Sequence, residues 1–376
     1  MDSGREIADH DCPPTPYPRQ DRAMPDDQFR PPETTVALPW DRLAAHVEGA
    51  GLTFARDVAP RQFAAGMGNL NYLIQVDGKP AVLRRPPLGP IPPGANDMKR
   101  EHRVLSRLWQ KFALAPRSFL YCQDADVIGA HFLIMEYRAG QAITGKTLPV
   151  ALAGDADAAR RLTEMLVRIL ADLHAVDPAA IGLGDFGRPD GFLSRAVEGW
   201  TKRGLIATDD DPPRALTALR DWLRANAAPD GAPTLLHNDF KLDNVLLDGA
   251  TMRTPVAVLD WDQSTRGDPL FDLATLLSYW TEAGDPDCMH DLAQMPTAAP
   301  GALSRSEAIA LYARLSGRDM SDFTFHRVLA MYKLAVVFLQ LYAQYRRGTV
   351  TDSRYEPFER IGNGILDFAH DVALAQ

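Results

Sequence analysis

Between residues 73 and 135 the apolar positions of this chain come in short runs rather than at helical spacing. Leu73 to Val76, Ala81 to Leu83 and His131 to Met135 are each bounded by glycine, proline or charged residues, the pattern of buried β-strands. One helix is predicted among them, Asp97 to Trp109, where Val104, Leu105 and Leu108 share a face. After Gly140 the period changes. Leu162, Met165, Leu166, Ile169, Leu170 and Leu173 recur at helical spacing, and the same spacing marks Leu270 to Trp280, Ala308 to Leu315 and Phe325 to Tyr345. The pattern predicts a strand-rich amino-terminal lobe, residues 39–136, and a larger helical lobe, residues 137–376. No internal repeat is visible. Ahead of both, residues 1–38 carry Pro13, Pro14, Pro16, Pro18, Pro25, Pro31 and Pro32 among many charges, a mixture that predicts a disordered tail.

Composition narrows the function classes. A chain of 376 residues suits two packed lobes better than one core. Its net charge of −9 argues against a nucleic-acid partner, which would be held through clustered Lys and Arg. No apolar stretch reaches the roughly 18 residues of a spanning helix. The nearest, Leu334 to Tyr342, is interrupted by Gln340 and flanked by Lys333, Arg346 and Arg347, so a core helix and no membrane partner are expected. Cys12, Cys122 and Cys288 show no metal-ligand spacing. They fit a reducing compartment, and Met1 to Asp27 lacks the features of a signal or transit peptide. A cytoplasmic location is therefore expected.

The chemistry is concentrated in Leu235-Leu236-His237-Asn238-Asp239-Phe240-Lys241-Leu242-Asp243-Asn244, followed by Val256-Ala257-Val258-Leu259-Asp260. This is the H-x-D-x-x-x-x-N spacing of a phosphoryl-transfer loop, then an apolar strand ending in an acid. Phosphoryl transfer needs a carboxylate to orient the attacking hydroxyl and accept its proton, and oxygen ligands that hold magnesium against ATP. Asp239 is predicted as the former, Asn244 and Asp260 as the latter. Lys241 stands two residues after Asp239, within reach of the transferred phosphate.

With Gly267-Asp268-Pro269-Leu270-Phe271-Asp272-Leu273-Ala274 added, the chain resembles the aminoglycoside phosphotransferase and choline kinase superfamily. The resemblance extends from Trp40 to the carboxyl terminus. It implies an α+β, bilobal protein-kinase-like fold, with a small antiparallel-sheet N-lobe and a larger helical C-lobe, that uses ATP and Mg2+. It also implies that Asp272 braces the catalytic loop, with His237 in support. Only Trp261 to Arg266 separate Asp260 from this segment, and A-P-E is absent, so a regulated protein kinase does not fit.

The N-lobe carries weaker signals. Gly66-Met67-Gly68-Asn69 reads either as a loop covering the ATP phosphates or as an ordinary hairpin turn. Ala81-Val82-Leu83-Arg84 aligns with the strand that ends in a phosphate-binding lysine in kinases; here that residue is arginine. Glu101 is its expected partner, because a carboxylate on an apolar helix face needs one. The alternative is an exposed first-turn glutamate favoured by the helix dipole. Phe132 to Tyr137 reads as the strand entering the hinge, where backbone groups around Glu136 and Tyr137 would bind adenine. Gly140 to Thr147 matches G-x-x-x-x-G-K-[ST]. That motif needs a helix growing from Lys146, which Pro149 opposes, so a loop is expected instead.

Within the superfamily, Val82 to Pro87, Arg100 to Leu105, Leu173 to Pro178, Gly182-Leu183, Phe186 to Pro189 and Arg195 to Trp200 resemble the kinase domains associated with acyl-CoA dehydrogenases. The resemblance implies a small-molecule hydroxyl acceptor carried as a CoA thioester. Lys202, Arg203, Arg346 and Arg347 are candidates by type for its phosphates, whereas Trp200 reads as core and His174 as a satisfied helix-end histidine. An aminoglycoside or other amino alcohol is the alternative acceptor. A nucleotide-binding pseudokinase acting as an interaction module is the alternative of another class, and Arg84 and Asn238, where relatives often have glycine, are the departures that favour it.

Overall fold

The computed structural model describes residues 28–64, 68–89 and 96–375. The amino-terminal lobe is a five-stranded antiparallel sheet in the order β1-β2-β3-β5-β4. Its strands are β1 (Arg61–Gln62), β2 (Leu70–Val76), β3 (Lys79–Arg85), β4 (Ser118–Cys122) and β5 (Phe132–Glu136). β3 lies between β2 and β5 and is buried from Ala81 to Arg85, which is why it reads as a continuous run. β2 alternates, with Tyr72, Ile74 and Val76 turned inward. Asp77-Gly78 joins the two strands with both residues at positive φ, 50° and 69°, the twist a two-residue hairpin requires. Helix α2 (Met98–Leu108) packs on β4 and β5 through Val104, Leu105 and Leu108, capped by Asp97.

Two expectations for this lobe need correction. Besides α2 and the short α3 (Ala125–Ile128), it contains a helix α1 (Trp40–Gly49) that buries Leu43, Ala44 and Val47. The predicted tail, residues 1–38, also ends too late. Phe29 stacks on Phe63 at 4.9 Å, Leu38 is buried, and the Tyr72 hydroxyl donates to the Val36 carbonyl at 2.8 Å. Residues 28–38 are thus part of the packed lobe, while residues 1–27 lie outside the described residues.

The chain leaves the sheet at Glu136 and joins the helical lobe at β6 (Gln141–Ala142). That lobe contains α4 (Ala158–His174), α5 (Phe192–Ala207), α6 (Arg214–Ala225), β7 (Thr234–Leu236), β8 (Val245–Leu247), β9 (Pro255–Val258) and β10 (Thr265–Gly267). It ends with α7 (Pro269–Ser278), α8 (Asp287–Leu292), α9 (Arg305–Ser316), α10 (Phe323–Arg346) and α11 (Phe358–Leu374). Two small antiparallel sheets, β6-β8-β9 and β7-β10, hold the segments that precede and follow each acidic motif. Every residue of α7 is buried. α10 is long and apolar enough to cross a membrane by length and composition, but it serves here as the central core helix, packed against α5, α6, α7 and α11.

Gly140 to Thr147 forms no helix. β6 pairs with β8, a 3₁₀ turn follows Pro149, and α4 begins only at Ala158. The first glycine is a packing necessity: a Cβ on Gly140 would stand 2.7 Å from Val256 Cγ2, 2.8 Å from the Leu247 carbonyl and 2.9 Å from Leu246 Cβ. Gly140→Ala should therefore cost about 1–3 kcal/mol, seen as a fall of a few degrees in melting temperature. Lys146 is exposed, and Lys146→Ala should leave both the melting temperature and ATP affinity at wild-type values. Loss of ATP binding in Lys146→Ala would restore the rejected motif.

Candidate active site

β7 delivers the chain into the loop His237 to Asn244, and β10 pairs back onto β7 so that α7 starts directly beneath it. From α7, Asp272 sends a carboxylate with no exposed surface into the loop. Its Oδ2 accepts from the His237 amide at 2.7 Å and its Oδ1 from the Asn238 amide at 2.7 Å. His174 adds Nε2 at 3.2 Å, while its Nδ1 meets the Tyr312 hydroxyl at 2.7 Å. Burial would push the Asp272 pKa up; the His174 ring, His237 and the backbone amide more than reverse this and hold it below the ordinary carboxylate range. His237 Nε2 donates to the Leu259 carbonyl at 2.8 Å, tying the loop to the residue before Asp260. The bracing expected of Asp272 and His237 is what the geometry provides.

Asp239 is buried, yet its environment keeps it ionised. The Tyr279 hydroxyl donates to Oδ1 at 2.8 Å and Lys241 Nζ lies 3.2 Å from Oδ2. Burial raises the Asp239 pKa, but Lys241, Lys333 and Tyr279 outweigh it, and the net shift is downward. Asn244 Nδ2 donates to the Asp239 carbonyl at 2.9 Å, which leaves the amide oxygen of Asn244 as its remaining donor atom to a cation. Asp260 sits in the left-handed region at φ 69° and ψ 59°, a conformation that Asp and Asn tolerate better than other side chains.

Arg84 bridges the lobes. Its Nε donates to Glu101 Oε2 at 2.7 Å, and its Nη2 reaches Asp260 Oδ1. The other Glu101 oxygen accepts from the Trp261 amide at 3.4 Å. The expected Arg84–Glu101 pair is thus present, and one guanidinium also holds the acid at the end of β9. Burial opposes the charge on Arg84, but Glu101, Asp260 and Asp262 raise its pKa above the ordinary value. Asp262 is left with burial and two neighbouring acids, Asp260 and Glu101, and is pushed up to about 8.

The remaining sequence candidates are more dispersed. Gly66 lies outside the described residues. Gly68 stands in the β1–β2 connection, where its carbonyl accepts from Asn96 Nδ2 at 3.0 Å. Glu136 and Tyr137 mark the end of β5: Glu136 pairs with Arg138 at 2.9 Å, and the half-buried Tyr137 faces the Phe63 ring. Among the described residues neither is bonded to the Asp239 cluster. Arg346 and Arg347 both bind Asp209, away from the loop. Trp200 is half-buried and packs against the core, with the exposed Arg203 guanidinium 4.6 Å from its ring centre. Tyr279, Lys333 and Asp262 were not anticipated; the only sequence signal was a lysine in the middle of an apolar helix.

No three His, Cys, Asp or Glu side chains are grouped as a metal cage among the described residues. The oxygens that could hold a cation are instead the Asn244 amide oxygen and the Asp260 carboxylate. That is the sparse oxygen set a magnesium ion completes with phosphates and water.

A family model described as "Phosphotransferase enzyme family" matches residues 60–307. Acyl-CoA dehydrogenase family member 11 of Gallus gallus is 32% identical over 310 residues, covering 80% of this chain and 38% of that protein. Acyl-CoA dehydrogenase family member 10 of Mus musculus is 26% identical over 347 residues, 92% of this chain and 32% of that protein. The chain therefore spans less than two fifths of the curated relatives it matches. Among solved structures, a candidate aminoglycoside phosphotransferase from Ralstonia eutropha JMP134 has a TM-score of 0.72 at 26% identity, covering 89% of this chain and 99% of its own. Aminoglycoside phosphotransferase APH(4)-Ia, in a ternary complex with AMP-PNP and hygromycin B, shares the fold at a TM-score of 0.53 and 16% identity, covering 88% of this chain and 98% of its own.

Replacing Asp272 by Ala would leave two backbone amides and His174 without an acceptor, at a cost of about 3–5 kcal/mol. The pH dependence has a definite sign. The native pKa of Asp272 is depressed, so its contribution is complete above the unfolded carboxylate value of about 4 and is lost as pH falls through the native value. Melting curves at decreasing pH should show Asp272→Asn less stable at neutrality and converging on wild type in acid. A constant difference at every pH would contradict the brace.

Proposed function

Because the chain belongs to the phosphotransferase enzyme family, we propose that it moves the γ-phosphoryl group of ATP, with Mg2+, to the hydroxyl of an anionic small molecule, best matched by a hydroxyacyl-CoA thioester. The observation that carries the reaction is the convergence of Asp239, Asn244, Asp260 and the Arg84–Glu101 pair from four separate segments. Tyr279 and Lys241 hold the two oxygens of Asp239, which would accept the acceptor's proton as its oxygen bonds to phosphorus and the bond to ADP breaks. Lys241 would meet the charge that builds on the transferred group. Asn244 and Asp260 would hold Mg2+, which neutralises charge on the β- and γ-phosphates when bound. Arg84 would offer its guanidinium to phosphate oxygens as a fork that lysine cannot form.

The acceptor class is supported by charge. Beside Asp239 lie Lys241 and Lys333, and beyond Lys333 lie Trp200 and the exposed Arg203. A polycationic aminoglycoside would meet these cations unfavourably, whereas thioester phosphates or a carboxylate would be drawn to them. The names of the curated relatives point to acyl-CoA chemistry as well. A pseudokinase is disfavoured because each residue the chemistry requires is present.

The purified chain should be incubated with MgATP and separate panels of hydroxyacyl-CoA thioesters, aminoglycosides and amino alcohols, with phosphorylated product followed by mass spectrometry. Product is expected from the thioesters. Product from aminoglycosides alone would overturn the acceptor class, and none from any panel would favour the pseudokinase. With the thioester that reacts best, Asp239→Asn should lower kcat by about 10²–10⁴-fold and leave ATP affinity nearly unchanged.

A further inference from the structure

α10 is apolar around its circumference, yet Lys333 near its middle is buried at 4% exposure. A buried ammonium is costly unless matched, and a methionine would fill the same space without that cost. Among the described residues the ammonium's hydrogen-bond partner is Asn238: Lys333 Nζ donates to the backbone carbonyl and, at 3.2 Å, to the side-chain oxygen. Around the ammonium stand the rings of Phe271, 5.4 Å away on α7, and Trp200, 6.0 Å away on α5.

Asn238 is the residue before Asp239, and its φ is +67°. Glycine would adopt this value without strain, whereas asparagine needs anchors. It has them on every polar atom. Its amide donates to Asp272 at 2.7 Å, its Nδ2 donates to the Gln263 carbonyl at 3.3 Å, and Lys333 takes both oxygens. The carbonyl gripped by Lys333 belongs to the peptide plane whose other end is the Asp239 amide, which donates to His237 Nδ1 at 3.3 Å. Rotation of that plane swings the Asp239 carboxylate, and small misplacements of a catalytic group lower rate steeply.

We propose that Lys333 is a positioning residue, which locks the Asn238–Asp239 peptide plane and thereby aims the Asp239 carboxylate at the acceptor hydroxyl. The role rests on Asp239 acting as the base described above. The charged groups that bear on Lys333 are Asp239, Asp272, Lys241 and Arg203; burial and the two cations bring its pKa down to about 8 against the two acids. Loss of the proton would weaken both bonds to Asn238, because charge-assisted hydrogen bonds are the stronger kind.

Lys333→Met and Lys333→Arg test the role in the full chain. Hydrogen–deuterium exchange needs no acceptor, so it separates this proposal from the choice of substrate. In Lys333→Met, exchange in the segment 235–242 should rise by about tenfold, with α11 and the amino-terminal sheet unchanged and ATP affinity retained. Turnover, read as slow MgATP hydrolysis and with any thioester that reacts, should drop by about 10²-fold in kcat with little change in KM. The wild-type kcat should decline as pH rises past about 8, a limb absent in Lys333→Met and moved to higher pH in Lys333→Arg. If Lys333→Met does not fold, Asn238→Gly removes the side-chain half of the grip at a φ glycine accepts, and should raise exchange in the same segment. Unchanged exchange and kcat in Lys333→Met would overturn the proposal. So would exchange rising throughout α7 and α10 with ATP binding lost, no change in the basic limb and no recovery in Lys333→Arg, since that is the signature of a merely structural lysine.

Discussion

Asp272 lies without exposed surface beneath the catalytic loop, and a carboxylate there is stable only if its oxygens are given donors. The donors are the amides of His237 and Asn238 and the ring of His174. The constraint propagates in both directions. Toward the core, His174 meets Tyr312 and so joins α4 to α9. Toward the site, two consecutive amides are fixed, Asn238 is turned into the left-handed region, and Asp239 follows in one direction only. The loop 237–244 can therefore be short and irregular and still be held in place.

The second constraint is electrostatic. Glu101, Asp260 and Asp262 crowd around a single buried guanidinium, Arg84, while Asp239 faces Lys241 and Lys333. The acid-rich half suits cations and the phosphates they carry. The cation-rich half fits the anionic acceptor proposed above. Arginine at the position where kinases have lysine fits this division, because its fork reaches Glu101 and Asp260 at once, one nitrogen to each. The substitution that weakened the likeness to kinases thus supplies one of the contacts that couple the two lobes in this chain.

Legibility followed sequence distance. His237 to Asn244, Asp260 and Asp272 could be read because their chemistry is written in fixed local spacing, and Glu101 because a carboxylate on an apolar face demands a partner. Tyr279 and Lys333 reach the site from 40 and 95 residues away, through packing that no local pattern encodes. The helix α1 was missed because its buried face is only Leu43, Ala44 and Val47, among charged neighbours and without a side-chain cap. Phe29 falls within the predicted polar tail, and its stack on Phe63, its β-bridge to that residue and the Arg61 guanidinium over its ring give it a place. The match at Gly140 failed for the opposite reason: the pattern was present, but the glycine there answers the approach of β8 and β9 rather than a phosphate.

On the reading proposed above, nucleotide chemistry is organised by His237 to Asn244 and Asp260, braced from Asp272. A crystal structure of the chain with AMP-PNP and Mg2+ tests it most directly. The metal is expected on the Asn244 side-chain oxygen and the Asp260 carboxylate, with the γ-phosphate facing Asp239. Phosphates cradled by Gly140 to Thr147, or a metal bound without Asn244 and Asp260, would contradict it.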